Sequence, residues 1–302
     1  MNKEVVFAVD IGGSKLMCGL VDRDGNVLKT EKCALLKDIT IQKLEELIVG
    51  MFESLTSDGN YSVVSVGVNI PGLADPQNGV WVYACFSGIS NYKISESLGA
   101  KLHLPIYIEN DVNACALAEK VWGSCQDCNH YLWVTVSNGV GGGLVLNGEV
   151  YSGAFQGAGE FGHVVVEEKG PQCPCGHFGC MEAVAAGPAI SKRYFALTRV
   201  EFPAVEIAKL ARDGDEIALE VLKKTGEYIG KGLGKVASIL NLEKYVLGGG
   251  VMQSFDLMQE SIVNAFKREA FSSPNQYAKI CQTSLKYEAA LLGAAAIGFR
   301  HK

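Results

Sequence analysis

Short apolar runs separated by turn-forming residues fill the first 35 positions, and this pattern predicts a series of strands. The runs cover residues 5–11, 15–22 and 27–33. Between the last two runs, Asp24 and Gly25 supply the positive φ that a tight hairpin turn needs. The apolar spacing then becomes helical over residues 40–55, with Thr40 in place as an N-cap.

The same arrangement returns at residues 131–152. An apolar run (YLWVTVS), a glycine turn (NGVGG), a second apolar run and an Asn-Gly hairpin follow one another in the order seen at the N-terminus. A repeated pattern of this kind predicts two related units. We therefore expect an α/β protein with two halves and a cleft between them.

The other segments complete these predicted halves. Two buried strands are expected, one ending at Pro71-Gly72 and the other at Asn110-Asp111, followed by a helix over 112–123. The last third of the chain has helical spacing, interrupted by one strand at 244–252. The helices predicted there cover residues 203–212, 214–241, 255–270 and 287–300.

Composition excludes several classes of protein. With 302 residues, of which 48% are hydrophobic, the chain can bury a core, and its net charge of -6 gives no basic footprint for nucleic acid. The apolar run at 289–299 is too short to cross a membrane, and the opening run, broken by Asp10, is not a signal peptide. Ten cysteines without an export signal indicate a reducing, cytoplasmic location, with thiols or metal ligands instead of disulfides.

Three glycine clusters, each at the end of a predicted strand, are candidates for phosphate binding. Gly12 and Gly13 follow Asp10, and further glycines occupy residues 137–143 and 247–252. Glycine lets backbone N–H groups approach phosphate oxygens, and a nearby acid can hold a Mg²⁺-bound water. The alternative is an ordinary hairpin that contains glycine. No cluster has the Walker A pattern or the dinucleotide fingerprint, which disfavours both of those folds.

A carboxylate stands where the second buried strand turns into a helix, in the stretch IENDVNA. Asn110 is suited to cap the helix, so Asp111 could simply complement the helix dipole. The functional alternative is a general base that takes the proton of a sugar hydroxyl as it attacks phosphorus.

The stretch GEFGHVVVEEKGPQCPCGHFGCMEAV, residues 159–184, has the ligand types of a structural zinc site. His163, Cys173, Cys175 and Cys180 form a three-thiolate, one-imidazole set, for which His177 competes as the fourth ligand. Unliganded buried cysteines are the alternative, and Cys-Pro-Cys lacks the spacing of a redox pair. We interpret the separate CxxC at residues 125–128 as incidental thiols in a surface loop.

Taken together, these motifs resemble the ROK family of sugar kinases, within the actin, hexokinase and Hsp70 superfamily. DIGGSK, NIPG, IENDVNA, GEFGH, CPCGHFGCME and LGGGV occur in the family's order over nearly the whole chain. The resemblance implies a two-lobed actin-like ATPase fold, a duplicated ribonuclease H-like architecture with a central cleft. It also implies a small-molecule sugar substrate, Mg-ATP, structural zinc and a homodimer.

The resemblance assigns roles residue by residue. Asp111 is implied as the catalytic base. Sugar ligands are implied at Gly72, Asn110, Asp111, Glu160, His163 and Glu182. ATP ligands are implied at Asp10, Gly12, Gly13, Ser14, Lys15, Asn138, Gly139, Gly141, Gly142 and Gly249. Zinc ligands are implied at His163, Cys173, Cys175 and Cys180.

Two positions depart from the family pattern. Ser137-Asn138-Gly139 replaces the common Gly-Thr-Gly of the second phosphate turn, and Phe86 lies near the place of an asparagine that touches the sugar. The first departure bears on ATP contacts and the second on which sugar is chosen.

We therefore predict an ATP-dependent kinase of a hexose or N-acetylhexosamine, with the 6-hydroxyl as acceptor. The smaller lobe is expected at residues 1–115, joined by the C-terminal helix at about 288–302, and the larger lobe at 116–287. A sugar-sensing protein that has lost phosphoryl transfer is the alternative, and a zinc-stabilised interaction module is a third.

Overall fold

The computed structural model describes residues 2–36, 38–84, 88–285 and 288–300. The chain forms two compact units. The first consists of Met1–Asp127, Ser152–Ala158 and Tyr287–Lys302. The second consists of Cys128–Tyr151 and Gly159–Lys286. Residues 116–127, which the sequence prediction assigned to the larger lobe, thus continue the first unit.

The strands form three sheets in the described part of the chain. Within the described residues they are β1 (Lys3–Ile11), β2 (Lys15–Asp22), β3 (Val27–Ala34), β4 (Tyr61–Ile70), β5 (Leu73–Asp75), β6 (Val80–Tyr83), β7 (Ser90–Tyr92), β8 (Ile106–Asn110), β9 (Tyr131–Val136), β10 (Val140–Leu146), β11 (Glu149–Val150), β12 (Lys244–Gly248) and β13 (Lys279–Gln282).

Helices connect and cover the strands. The described ones are α1 (Ile41–Thr56), α2 (Ile94–Leu102), α3 (Asp111–Val121), α4 (Met181–Ala185), α5 (Gly187–Thr198), α6 (Ala204–Arg212), α7 (Glu216–Leu240), α8 (Phe255–Glu269), α9 (Ser272–Asn275) and α10 (Ala289–Arg300). Two 3₁₀ helices, Phe161–His163 and Val251–Ser254, lie beside the residues discussed below.

The first unit contains a five-stranded sheet in the order β3-β2-β1-β4-β8. The first three strands are antiparallel, whereas β4 and β8 join parallel to β1. The register places Asp10 beside Asn69 and Asn69 beside Glu109. One row across three strands therefore carries three polar residues. A separate small sheet follows the order β5-β6-β7.

The second unit repeats this topology. Its sheet has the order β11-β10-β9-β12-β13, again with three antiparallel strands followed by two parallel additions. This repetition is the duplication that the sequence pattern predicted, and β13 supplies the last strand, which the sequence analysis missed.

Each unit has its own apolar core. In the first, α10 packs closely on β4, as Gly67 shows: a Cβ added there would lie only 1.8 Å from the Ala294 carbonyl oxygen. In the second, α7 and α8 pack equally closely, since a Cβ on Gly230 would lie 2.2 Å from the Ile262 carbonyl oxygen. Only glycine at these points permits the observed backbone approach.

Several local predictions are confirmed. The Thr40 side chain caps α1 by accepting the N–H of Lys43 at 3.2 Å. Gly25 has a φ of 81°, and Asn147 and Gly148 both have positive φ, as tight hairpins require.

Two boundaries differ from the prediction. The glycine turn expected at 138–142 is shorter, because β10 begins at Val140 and the ladder with β9 pairs Gly141 with Thr135. The strand expected over 244–252 ends at Gly248, where Gly249 enters the left-handed region with a φ of 91°.

Phe86 lies outside the described residues. No helix in the described ranges is long and apolar enough to span a membrane.

Candidate active site and metal centre

In the first unit, the catalytic candidate Asp111 is the first residue of α3, directly after β8. The Asn110 side chain caps this helix by accepting the N–H groups of Val112 at 2.9 Å and Asn113 at 3.2 Å. The Asn110 amide also donates to the Gly72 carbonyl oxygen at 2.9 Å. The N-cap prediction is confirmed, and the structure brings Gly72, Asn110 and Asp111 together.

Gly72 has a structural reason to be glycine. Its φ is 91°, and a Cβ there would lie 2.2 Å from the Tyr83 carbonyl oxygen. A side chain at this position would collide with Tyr83 and displace the Gly72 backbone, whose carbonyl oxygen accepts the hydrogen bond from Asn110.

Asp111 has the protonation behaviour of an acid–base group. Burial raises its pKa to about 7, the Asp10 carboxylate adds to the rise, and hydrogen bonding from Val112 opposes it. The Val112 N–H lies 3.0 Å from Asp111 Oδ1. A carboxylate with a pKa near neutrality can exchange a proton with a substrate under physiological conditions.

Asp10 is the last residue but one of β1 and is 6% exposed. Burial raises its pKa to about 6, while the positive charge of Lys15 opposes the rise. The turn that follows is closed by the Gly12 N–H, which donates to the Lys15 carbonyl oxygen at 2.9 Å. The structure thus places Asp10 near the end of β1, Gly12, Gly13 and Ser14 in the turn that follows, and Lys15 at the start of β2.

Two buried polar residues, one on β8 and one on β4, were missed by the sequence analysis. Glu109 is 8% exposed, and its Oε1 accepts the N–H of Asn110 at 2.9 Å and the side-chain amide of Asn113 at 3.1 Å. Asn69 is fully buried and donates to the Ala290 carbonyl oxygen, while its Oδ1 has no hydrogen-bond partner among the described residues. Both could have been recognised in the sequence as polar residues inside otherwise apolar strands.

In the second unit, the glycine turn lies next to Glu182 of α4. The turn is closed by the Ser137 N–H, which donates to the Gly139 carbonyl oxygen at 2.8 Å. Glu182 Oε2 accepts the N–H of Val140 at 3.1 Å, and a Cβ on Gly139 would lie 2.7 Å from the same oxygen. Asn138 and Gly139 are therefore held beside Glu182.

Gly249, which follows β12, packs against the end of β9, directly before the same turn. Strand β12 runs parallel to β9, and a Cβ on Gly249 would lie 2.5 Å from the Val136 carbonyl oxygen. Gly142 has a packing role, since its Cβ would lie 2.6 Å from the carbonyl oxygen of Gly159. This contact fixes the backbone next to Glu160.

The four predicted metal ligands form one cluster in the second unit. The ligand atoms of His163, Cys173, Cys175 and Cys180 all lie within 4.8 Å of one another. The Cys175 and Cys180 sulfurs are 3.6 Å apart, and His163 Nδ1 is 3.7 Å from Cys173 Sγ. A tetrahedral ion with Zn–S bonds of about 2.3 Å would separate its sulfurs by about 3.8 Å, so the donor set fits zinc.

His177, the alternative fourth ligand, does not belong to this cluster. Its Nδ1 lies 3.5 Å from Cys175 Sγ, and its backbone N–H and ring lower the pKa of the Cys175 thiol to about 6. Burial raises the pKa of the Cys180 thiol. The geometry thus favours His163 as the imidazole of the set.

The loop that carries the cysteines depends on two glycines with positive φ. Gly176 follows Cys175 with a φ of 95°, and Gly179 precedes Cys180 with a φ of 69°. A Cβ on Gly179 would lie 1.6 Å from the Glu167 carbonyl oxygen. The pattern CPCGHFGC therefore folds into a tight loop that returns the last cysteine to the first two.

His163 faces two groups at once. While Nδ1 lies near Cys173, Nε2 lies 3.8 Å from Glu160 Oε2. An ion bound at Nδ1 would fix the ring and leave Nε2 directed at the carboxylate. The two other cysteines singled out in the sequence, Cys125 and Cys128, are buried, so the prediction that they lie in a surface loop is wrong.

Comparison with known proteins gives one consistent result. The profile of the ROK family matches residues 6–300. The chain is 30% identical to a glucokinase of Thermotoga maritima over 98% of both chains. It is 27% identical to the DNA-binding transcriptional dual regulator NagC of Escherichia coli, over 96% of this chain and 74% of that protein.

A solved structure supports the same assignment. The ROK family glucokinase of Streptomyces griseus, in complex with glucose and AMPPNP, superposes with a TM-score of 0.84 at 26% identity, over 98% of this chain and 99% of that one. The fold is therefore that of the two-lobed ROK sugar kinases, as the sequence motifs implied. This chain belongs to the ROK family.

Proposed function

We propose that this protein is an ATP-dependent sugar kinase that phosphorylates a hexose or an N-acetylhexosamine at its 6-hydroxyl. The observation that carries the proposal is Asp111, a carboxylate at the start of α3 with a pKa raised to about 7. Similarity to two glucokinases supports the same activity.

Asp111 acts as the general base in this proposal. Its carboxylate aligns the attacking hydroxyl and accepts its proton as the new P–O bond forms. The N-cap by Asn110 fixes the start of α3, so the carboxylate is held in place before substrate arrives.

The sugar ligands come from the residues that the family motifs assign. In the first unit these are Gly72, through its backbone, and Asn110 together with Asp111. In the second unit they are Glu160, His163 and Glu182. All three second-unit side chains carry hydrogen-bonding atoms suited to sugar hydroxyls.

Nucleotide binding is assigned to the glycine turns. Gly12, Gly13, Ser14 and Lys15 contact phosphate, and Asp10 holds a Mg²⁺ ion through water. In the second unit, phosphate is assigned to Asn138, Gly139, Gly141 and Gly142, and the nucleoside to Gly249. Asn138 replaces a threonine common in the family and retains a side-chain donor.

The cysteine cluster is assigned a structural zinc ion. Zinc with four protein ligands supplies rigidity and no reactive position. Its effect on function is therefore indirect: His163, Cys173, Cys175 and Cys180 fix the loop that leads to Glu182.

A sugar-responsive regulator without phosphoryl transfer is the second candidate. The similarity to NagC over 96% of this chain favours it, as does the altered Ser137-Asn138-Gly139 turn. The two candidates share a sugar site and differ in turnover.

The deciding experiment measures ADP release with ATP, Mg²⁺ and a panel of hexoses and N-acetylhexosamines. A kinase gives sugar-dependent ADP, and Asp111→Asn lowers kcat by about 10²- to 10⁴-fold. Asp215→Asn is the matched control, because Asp215 also stands at a helix start and caps α7. Sugar binding without turnover in the unaltered protein would favour the regulator.

A further inference from the structure

A cavity of about 700 Å³ lies in the second unit, between the cysteine-bearing loop and helices α4, α5 and α7. This volume is within the usual range for small-ligand sites, about 300–1,000 Å³. The ionisable residues on its wall are Glu167, Lys169, Glu182, Lys192 and Arg193. None of the roles assigned above uses the three basic residues.

Arg193 lies on the cavity wall and has only neutral hydrogen-bond acceptors among the described residues. Its guanidinium donates to Thr225 Oγ1 at 2.9 Å and to the carbonyl oxygens of Val184 and Val221. These acceptors are neutral, and no carboxylate forms an ion pair with Arg193 within the described ranges. Arg193 is half-buried, and a charge partly removed from water is stabilised by an opposite charge, so its guanidinium is suited to bind an anion.

The surrounding charges point the same way. Lys169 and Lys192 also lack an ion pair among the residues that the structure describes. The ring of Tyr228, which lines the cavity, has Arg193, Lys224 and Lys231 within 5.1–5.8 Å of its centroid. Three cations thus converge behind one wall of the cavity.

The acids on the wall do not neutralise this charge. Glu182 accepts the N–H of Val140, and Glu167 lies near Lys224, which is itself paired with Glu227 at 3.0 Å. The wall therefore carries three basic side chains against two carboxylates. A guanidinium has five N–H donors, and Arg193 makes three hydrogen bonds, so it can form further contacts with a ligand.

The cavity also adjoins the residues assigned to the substrates. Asn138 and Glu182 lie on its wall, together with Gln172. A substituent on a sugar bound at Glu182 would therefore have this space beside it. Carboxylate and amide groups on the wall suit hydroxyls, and the lysines and the arginine suit an anion.

We propose that the acceptor is an anionic sugar, whose phosphate or carboxylate substituent occupies this cavity and pairs with Lys169, Lys192 and Arg193. The inference rests on the proposed function, because it takes Glu182 as a ligand of the acceptor sugar.

The test compares neutral and anionic acceptors in the ADP-release assay. Glucose is paired with glucose 1-phosphate, and N-acetylglucosamine with N-acetylmuramic acid, which carries a carboxylate. We expect at least a tenfold higher kcat/KM for one anionic acceptor than for its neutral counterpart, and the phosphate and carboxylate arms identify which anion is used. The Lys169→Ala/Lys192→Ala double variant should raise KM for that acceptor about 10- to 100-fold and leave the neutral sugar within threefold.

Lys223→Ala, an exposed lysine of α7 outside the cavity, is the matched control. Equal kcat/KM for neutral and anionic sugars would overturn the inference and leave the kinase intact. An anionic sugar that binds by calorimetry and inhibits, while only neutral sugars are phosphorylated, would also overturn it. Should no sugar be phosphorylated, the proposed function fails, and calorimetry with glucose 1-phosphate and N-acetylmuramic acid still decides the cavity. Binding of either one that is lost in the double variant supports the anion site, and absence of binding of both overturns it.

Discussion

The carboxylate of Asp10 raises the pKa of Asp111, although one residue lies in strand β1 and the other begins helix α3 of the first unit. Both groups are pushed in the same direction by burial, to about 6 and about 7. Two acids with perturbed protonation in one place are typical of a catalytic site. Their coupling gives measurable consequences for activity and for stability.

The first prediction concerns the pH dependence of turnover. A general base works only when it is deprotonated, so kcat/KM should fall as pH drops below about 7, the pKa of Asp111. Asp10→Asn removes the like charge and should move this acidic limb to lower pH, whatever it does to the maximum rate. Glu53→Gln, at an exposed position of α1, should leave the limb in place. If the acidic limb of kcat/KM lies at the same pH in Asp10→Asn as in the unaltered protein, the Asp10 charge does not raise the pKa of Asp111.

The second prediction concerns stability at Asp111. Its pKa is raised from 3.8 to about 7 on folding, so the stability linked to the protonated form is complete below pH 4 and is lost as pH rises through 7. Asp111→Asn should therefore be more stable than the unaltered protein at pH 8, by about 2 kcal/mol after allowance for solvent screening.

Thermal melts at pH 8, 6 and 4 check this expectation. The gain in Tm should shrink below about pH 7 and become small near pH 4, where the carboxyl of the unfolded chain is also protonated. A variant that is destabilised to the same extent at all three pH values would show that Asp111 contributes packing and not buried charge.

The architecture was predictable because strong local signals agreed. The pairs Asp24-Gly25 and Asn147-Gly148 predicted hairpins, and both glycines have the positive φ that such turns need. Thr40 predicted the start of α1. The repeated order of strand, glycine turn, strand and hairpin identified the duplication. The boundary at Val140 was not predictable, because Gly141 and Gly142 look like turn residues but lie in β10, where Gly142 is required by close packing.

The candidate site was only partly predictable, since local patterns do not show which strands become neighbours. Asp111 and the cysteine loop have distinctive spacing, whereas Asn69 and Glu109 acquire meaning only from the register of β1, β4 and β8. The cavity near Arg193 was missed entirely, because its walls come from a loop and three helices that are separate in sequence.

The third prediction concerns Glu109, which supports the start of α3. Glu109→Leu removes the acceptor for the Asn110 N–H and the Asn113 amide, and should cost about 2–3 kcal/mol of unfolding free energy. Glu109→Gln keeps an oxygen in place and should recover most of the loss in a urea melt. Glu46→Leu, at a half-exposed carboxylate on α1, should change stability by about 0.5 kcal/mol or less. Equal losses in Glu109→Leu and Glu109→Gln would show that charge, and not the two hydrogen bonds, is what matters.

The fourth prediction concerns the cysteine cluster. Metal analysis of the purified protein should find one zinc ion per chain, because the donor set of His163, Cys173, Cys175 and Cys180 is complete. Cys180→Ser and His163→Ala should lose the ion and lower Tm, since zinc binding contributes to folding. His177→Ala should keep it, because that ring lies outside the set, and Cys33→Ser serves as a control thiol in the first unit. Zinc retained by His163→Ala and lost from His177→Ala would exchange the two histidines and remove the link between the metal and Glu160.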